Sequence, residues 1–291
     1  MPISSIVLNE NNLNQTGSFL AANQSAPYNK LYMNLGNTNL AGKKIALSKA
    51  NLYYSWPNVS SNNNTFSISW PTGSAVYTDV NITIPANTNY ASITELNNYL
   101  NTVMIANGMY LINNTTGNYL YYMSLVANPN TYSVNLVQTL VPTGAIAGYT
   151  APSVGFAGYP SVSRTMKLTT NTSNFNLLIG FAASTVFDGN TSAITYNSTF
   201  TPQLSVVSSV IMTCNLASNP LALNNDPNIV YTFTTKDIQY GSIINVEPYQ
   251  NIWYDITSNS NILIVSFTDQ NQNPLYILDP NITILLLISD E

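Results

Sequence analysis

Short runs that alternate apolar and polar residues, each ended by a cluster of Asn, Gly, Pro or Ser, fill this chain and confine it to a β-rich fold. Residues 64–70 (NTFSISW) place Phe66, Ile68 and Trp70 on one face. Residues 79–85 (DVNITIP) do the same with Val80, Ile82 and Ile84. The longer run 44–56 (KIALSKANLYYSW) reads as a half-buried strand that bends near Ser48. Further strands are expected at 119–126, 131–137, 203–216, 228–233 and 262–267. The run 281–288 is dense enough in apolar residues to predict a central strand buried on both faces. This spacing, with its turn chemistry, predicts a two-sheet β-sandwich.

One segment breaks the pattern. Ser92 and Glu95 form a capping box, in which the Ser hydroxyl accepts from the Glu95 N–H and the carboxylate reaches back. Ile93, Leu96, Leu100, Val103 and Met104 then recur at helical spacing, and Asn107-Gly108 supplies a left-handed stop. The helix is expected on the sandwich or across one end of it. Residues 140–160 are rich in Gly, Ala and Pro and nearly free of charge, which reads as a loop or the start of an insertion. Weak strand patterns follow, among them residues 174–181 (NFNLLIGF). The expected organisation is therefore an arm or edge segment at 1–42, sandwich at 43–139, an inserted module at 140–202, and sandwich again at 203–291. No internal repeat of fixed period is seen.

Chemistry is constrained mainly by what is missing. The 291 residues hold no His and one Cys, with 7 Lys+Arg, 12 Asp+Glu and a net charge of -5. Without His there is no Ser-His-Asp triad and no imidazole metal site. One Cys excludes an intrachain disulfide and a Cys-rich zinc site. Seven scattered cations cannot neutralise a phosphate track, so no nucleic-acid partner is expected. Asp226, Asp237, Asp255, Asp269 and Asp279 sit in or beside expected turns, and Glu247 precedes Pro248, so no carboxylate pair for glycoside hydrolysis stands out. Asp269 in FTDQNQNPL has oxygens near it at calcium-like spacing but reads as a hairpin loop. No GxGxxG, P-loop, GxSxG or HExxH occurs. No catalytic, cofactor or metal residues are assigned.

Cys214, flanked by apolar residues, reads as a small buried hydrophobe. The sequons at Asn58, Asn81 and Asn281 are expected by chance in so Asn-rich a chain. The start, MPISSIVLNENN, shows no secretory pattern, and the longest apolar run, Ile284 to Ile288, is too short to span a membrane, so a soluble chain is expected. Most of the three Trp and twenty Tyr are expected to fill the core and its rim. An exposed Tyr/Asn-rich end would also suit stacking on sugars. With charged residues at only 7%, colloidal repulsion is weak, which favours a subunit surrounded by neighbours over a free enzyme.

Several blocks resemble the minor capsid, or penton, proteins of virophages and the related polinton viruses. KKIALSKANLYYSWPNVSSNNNTFSISW is similar to that family's opening, with a hydroxyl-Trp-Pro-Asn turn at Ser55, Trp56, Pro57 and Asn58. Ile82 to Pro85, Tyr90 and Leu96 to Leu100 resemble its I-T-I-P segment and the helix after it. Cys214 to Leu216 resemble a strand closing in C-N-L. Tyr240-Gly241-Ser242, Glu247-Pro248, Trp253 and Asp269 resemble markers of the closing strands. The resemblance implies a single jelly roll of two four-stranded sheets, with 140–202 as an upper insertion. It further implies a homopentamer at the fivefold vertices of an icosahedral shell, beside the major capsid protein, located in the virion and assembled in the host cytoplasm. A carbohydrate-binding or host-attachment module on the same sandwich is the alternative, with a glycan or host receptor as partner. A hydrolase ranks last.

Overall fold

Period-two alternation becomes strand wherever two such runs can pair, and the pairing here builds two separate units. The structure, a computed structural model, describes residues 3–9, 27–170, 173–218, 228–257 and 259–290. Met1–Trp56 and Val207–Glu291 form the first unit, and Pro57–Val206 the second. The first opens with strands Ile3–Leu8 (β1), Lys30–Asn34 (β2) and Lys44–Tyr53 (β3). The second contains Thr65–Pro71 (β4), Tyr77–Thr83 (β5), helix Ile93–Ala106 (α1), Tyr110–Asn113 (β6), Tyr119–Tyr121 (β7), Met123–Asn128 (β8), Ser133–Gln138 (β9), Leu140–Val141 (β10), Tyr149–Thr150 (β11), Arg164–Thr165 (β12), Lys167–Thr169 (β13), helix Ser173–Leu178 (α2) and Ile194–Asn197 (β14). The chain then re-enters the first unit with Val210–Cys214 (β15), Ile229–Phe233 (β16), Ile243–Val246 (β17), Tyr254–Asp255 (β18), Ile262–Asp269 (β19) and Thr283–Ser289 (β20).

All named strand pairs are antiparallel. In the first unit one sheet runs β1-β20-β3-β17, with β18 also on β3, and the other runs β16-β15-β19-β2. Their inner faces share one core. Ile45, Leu52, Ile284 and Leu286 come from the first sheet, and Met212, Cys214, Leu263 and Phe267 from the second; each is at most 2% exposed. Each such side chain contributes roughly 1.5–3 kcal/mol by burial. Ser48 explains how β3 keeps its apolar side inward. The register with β20 passes from Lys49 to Leu47 and skips Ser48, a bulge that switches the buried set from Ile45 and Leu47 to Ala50 and Leu52.

In the second unit α1 supplies Ile93, Leu96, Leu100 and Met104 to a core shared with Phe66, Trp70, Leu136 and Leu168. The capping box forms, with Ser92 Oγ accepting from Glu95 N (3.2 Å) and Glu95 Oε2 accepting from Ala91 N (2.8 Å) rather than from the N–H of Ser92. Gly108 takes the left-handed stop, φ 63°.

Several expectations are corrected. The helix packs on β8 and joins the core of the second unit. Residues 140–202 do not stand apart, because their strands complete sheets begun upstream: β13 pairs with β4, β14 with β9, and β11 with β6. The second unit thus runs continuously from Pro57 to Val206, and no named strand of residues 57–139 belongs to the sheets of the first unit. Within 1–42, β1 and β2 are edge strands of the two sheets, and residues 10–26 lie outside the described residues. The expected strand at 174–181 is largely α2, since Phe175, Leu178 and Ile179 are buried at spacings of three and four. Only Val210–Cys214 of the expected strand 203–216 forms. β20 is central, as its sequence implies, but only its inner face is fully buried; Leu285 and Leu287 are half-buried.

Candidate self-association surface

The apolar residues of β20 that do not enter the core define the surface. Alternation sends Ile284, Leu286 and Ile288 inward and Leu285 and Leu287 outward. Register extends the outward set across the sheet. Val7 on β1 and Lys49 on β3 flank Leu285, Ser5 flanks Leu287, Asn51 lies between Thr283 and Asn245, and Tyr53 pairs with Ile243. Val7 is 37% exposed and Ile243 49%. The water-facing side of an antiparallel sheet is normally polar, so this row of Val, Leu, Ile and Tyr is unusual for a solvated face.

Its electrostatics are nearly neutral. The Lys49 ammonium is held by Glu247 at 2.5 Å, both side chains being well exposed. Such a pair contributes under about 1 kcal/mol but leaves no lone charge to strand beneath a partner. A depression of about 290 Å³ opens beside Asn51, Tyr53, Ile243, Asn245, Asn281 and Thr283. Asn51 Oδ1, at its edge, is buried without a hydrogen-bond partner. An orphaned buried acceptor is costly, and a donor from an incoming surface would relieve it.

The outer side of the second sheet has matching chemistry. There Tyr32 pairs with Ile264, Asn34 with Ile262, Lys30 with Ser266 and Ile211 with Thr268. Ile262 is 48% exposed, and Ser, Thr and Asn separate the apolar residues.

The residues singled out from sequence fall into supporting roles. The Ser55-Trp56-Pro57-Asn58 turn straddles the division, and each half is tied into its own unit. Ser55 Oγ accepts from the N–H groups of Leu278 and Asp279, both at 3.1 Å, while Trp56 is buried against Tyr54 with ring centroids 4.7 Å apart. On the other side Asn58, 5% exposed, donates from Nδ2 to Tyr90 O (2.8 Å) and Leu204 O (2.7 Å). Its Oδ1 accepts from Tyr90 N at 3.0 Å. Burial then pushes the Tyr90 phenol up to about 12, with Tyr99 and Glu95 adding to it. Cys214 is fully buried, and desolvation raises its thiol to about 11. Trp253 is half-buried.

The acids do not converge. Asp269 Oδ1 accepts from the N–H groups of Asn271 and Asn273, as a hairpin loop requires. Asp279 Oδ1 accepts from Asn281 N and Nδ2, both at 2.8 Å. Asp237 occupies a left-handed turn position, φ 64°. Asp255 lies in β18, Glu247 pairs with Lys49, and Asp226 lies outside the described residues. Among the described residues no three His, Cys, Asp or Glu side chains cluster as metal ligands would, and no helix is long and apolar enough to cross a membrane.

Sequence reasoning missed the outer face itself. The signal was present in ILLLI, whose apolar residues occupy both parities, and in Ile243 two residues after the Gly241 turn.

No protein-family model matches the sequence, and no curated protein matches it. Among solved structures the chain is similar to the crystal structure of the selenomethionine-labelled penton protein of mavirus. Identity is 10%, the match covers 99% of this chain and 98% of that one, and the TM-score is 0.42.

Proposed function

We propose that this chain is a structural minor capsid protein, a single jelly roll whose copies close into a pentameric vertex capsomer of an icosahedral virion. The observation that carries the reading is strand order in the first unit. Counted in chain order without the small β18, its eight main strands lie as 1-8-3-6 in one sheet and 2-7-4-5 in the other. That interleaving is what two nested Greek keys produce in a jelly roll. The second unit is then an insertion between the third and fourth strands. The sequence blocks that resemble penton proteins favour the same role, as does a surface with very few charges.

A ring needs a heterologous contact, one patch meeting a different patch on the next copy. The two outer sheet faces supply such a pair. The Val7, Leu285, Leu287 and Ile243 face of one subunit packs against the Tyr32, Ile262 and Ile264 face of its neighbour, with Asn, Ser and Thr giving neutral hydrogen bonds. The role is architectural rather than catalytic, a reading favoured by Asp269 and Asp279 being held in turns and Glu247 by Lys49. The product is part of the virion, assembled in the host cytoplasm beside the major capsid protein.

One-sided variants test this. Leu285→Lys spoils the first face and Ile262→Lys the second. Each alone should be a folded monomer by light scattering. Mixed, they should stop at a heterodimer, since each retains one intact face. Rings formed by either variant alone, or a mixture that stays monomeric, would refute this contact.

A further inference from the structure

The second unit carries a feature that self-association does not use. An open trough of about 440 Å³ lies at one end of the β8-β9-β14 sheet, within the size range of small-molecule sites. Its polar lining comes from Asn128, Thr131, Ser133, Asn197, Thr199 and Thr201, and no ionisable side chain lines it. Register explains the convergence: Asn128 pairs with Ser133 on β8-β9, and Asn197 pairs with Asn135 on β14-β9. Asn135 Oδ1, in the rung next to the trough, is buried without a hydrogen-bond partner.

One aromatic residue lines the trough, and a second is a chain neighbour of two lining residues. Phe200 lines the trough and is 56% exposed. Its loop is fixed, with Ser198 Oγ donating to Phe200 O (3.0 Å) and accepting from Val134 N (2.8 Å), and Phe200 N donating to Gly180 O (2.9 Å). Tyr132, between the trough residues Thr131 and Ser133, is 77% exposed. Its φ is 51°, a left-handed conformation that is unfavourable for a bulky side chain. A hairpin tip would be more stable with Gly or Asn there, so the strain is a cost that folding alone does not explain.

We infer that this trough binds a neutral carbohydrate. Sugar hydroxyls both donate and accept, which matches amides and hydroxyls that do the same. The C–H face of a pyranose stacks on an exposed aromatic ring, which Phe200 offers in the lining itself and Tyr132 offers between the lining residues Thr131 and Ser133. A ligand carrying charge finds no counter-charge in the lining, and a purely apolar one finds mostly polar atoms.

Saturation-transfer NMR on the full-length chain tests the inference with methyl galactoside, methyl mannoside, N-acetylglucosamine and chitobiose at millimolar concentration, and sialyllactose as the charged arm. At least one neutral sugar should receive saturation on its ring C–H protons. The signal should fall about tenfold or more in Tyr132→Asn and in Phe200→Ser, and persist in Val154→Ser, an exposed site elsewhere in the unit. Tyr132→Asn relieves the strained backbone, so its loss of signal would not reflect unfolding, and a melting temperature equal to or above that of the parent checks this. Transfer to no neutral sugar, transfer to sialyllactose alone, or full transfer in both aromatic variants would overturn the inference. Ring assembly is measured separately, so either result stands without the other.

Discussion

Asn58→Ala removes three hydrogen bonds at once from a place water does not reach. It leaves the Tyr90 N–H, the Tyr90 carbonyl and the Leu204 carbonyl without their partner, where Asn58 held them at 2.7 to 3.0 Å with only 5% exposure. Each orphaned group costs about 1–3 kcal/mol in isolation, and the three share one site and relax together, so a total of about 3 kcal/mol is expected. For a unit of roughly 150 residues that corresponds to a fall in melting temperature of about 6–12 °C. The loss should be local. Hydrogen exchange followed by mass spectrometry should accelerate in peptides from 57–206, α1 and β4 first, and stay unchanged in β3, β15 and β20. A melting shift under about 2 °C would contradict this role of Asn58, as would equal acceleration in both units. The same burial predicts that Asn58 carries no glycan when the chain is secreted from eukaryotic cells.

The remaining predictions concern single groups. Gly108→Ala should destabilise the second unit strongly, because φ is 63° and a Cβ would overlap the carbonyl of Gly155; a soluble protein with an unchanged melting temperature would contradict this. Cys214 should not react with Ellman's reagent at pH 8 until the chain unfolds, since burial holds its thiol near 11. Tyr90 and Tyr122 have folded-state values raised by burial to about 12 from 10, so the fold favours their neutral forms. Their stabilising effect is complete below about pH 10 and is lost as pH rises through about 12, readable as a falling melting temperature alongside tyrosinate absorbance. Between about pH 6 and 8 stability should be level, because the sequence has no His and the Cys214 thiol begins to ionise in the unfolded chain only above that range.

Local patterns were legible where one residue decides the geometry. Ser48 was readable as a bend because the apolar parity changes there, and the structure turns that change into a bulge. The α1 cap and stop were readable from Ser92, Glu95 and Gly108. Cys214 was readable from its apolar neighbours. What was not legible depends on pairing between distant segments. The unit boundary at Trp56–Pro57 falls inside a turn with no composition shift, whereas the visible shift at 140 is only loop chemistry within one unit. Residues 174–181 carry apolar side chains that fit either period, and tertiary burial of Phe175, Leu178 and Ile179 selected the helix. Asn58 looked like one sequon among many, because its partners Tyr90 and Leu204 are 32 and 146 residues away. The candidate interface was hidden for the same reason: which side of β20 faces outward is set by β1 and β3.

Native mass spectrometry of the full-length protein tests the self-association claim most directly. A dominant species of five 31.7 kDa chains is expected, persisting on dilution into the micromolar range. A single-chain mass at every concentration and salt, with the fold intact by circular dichroism, would contradict it.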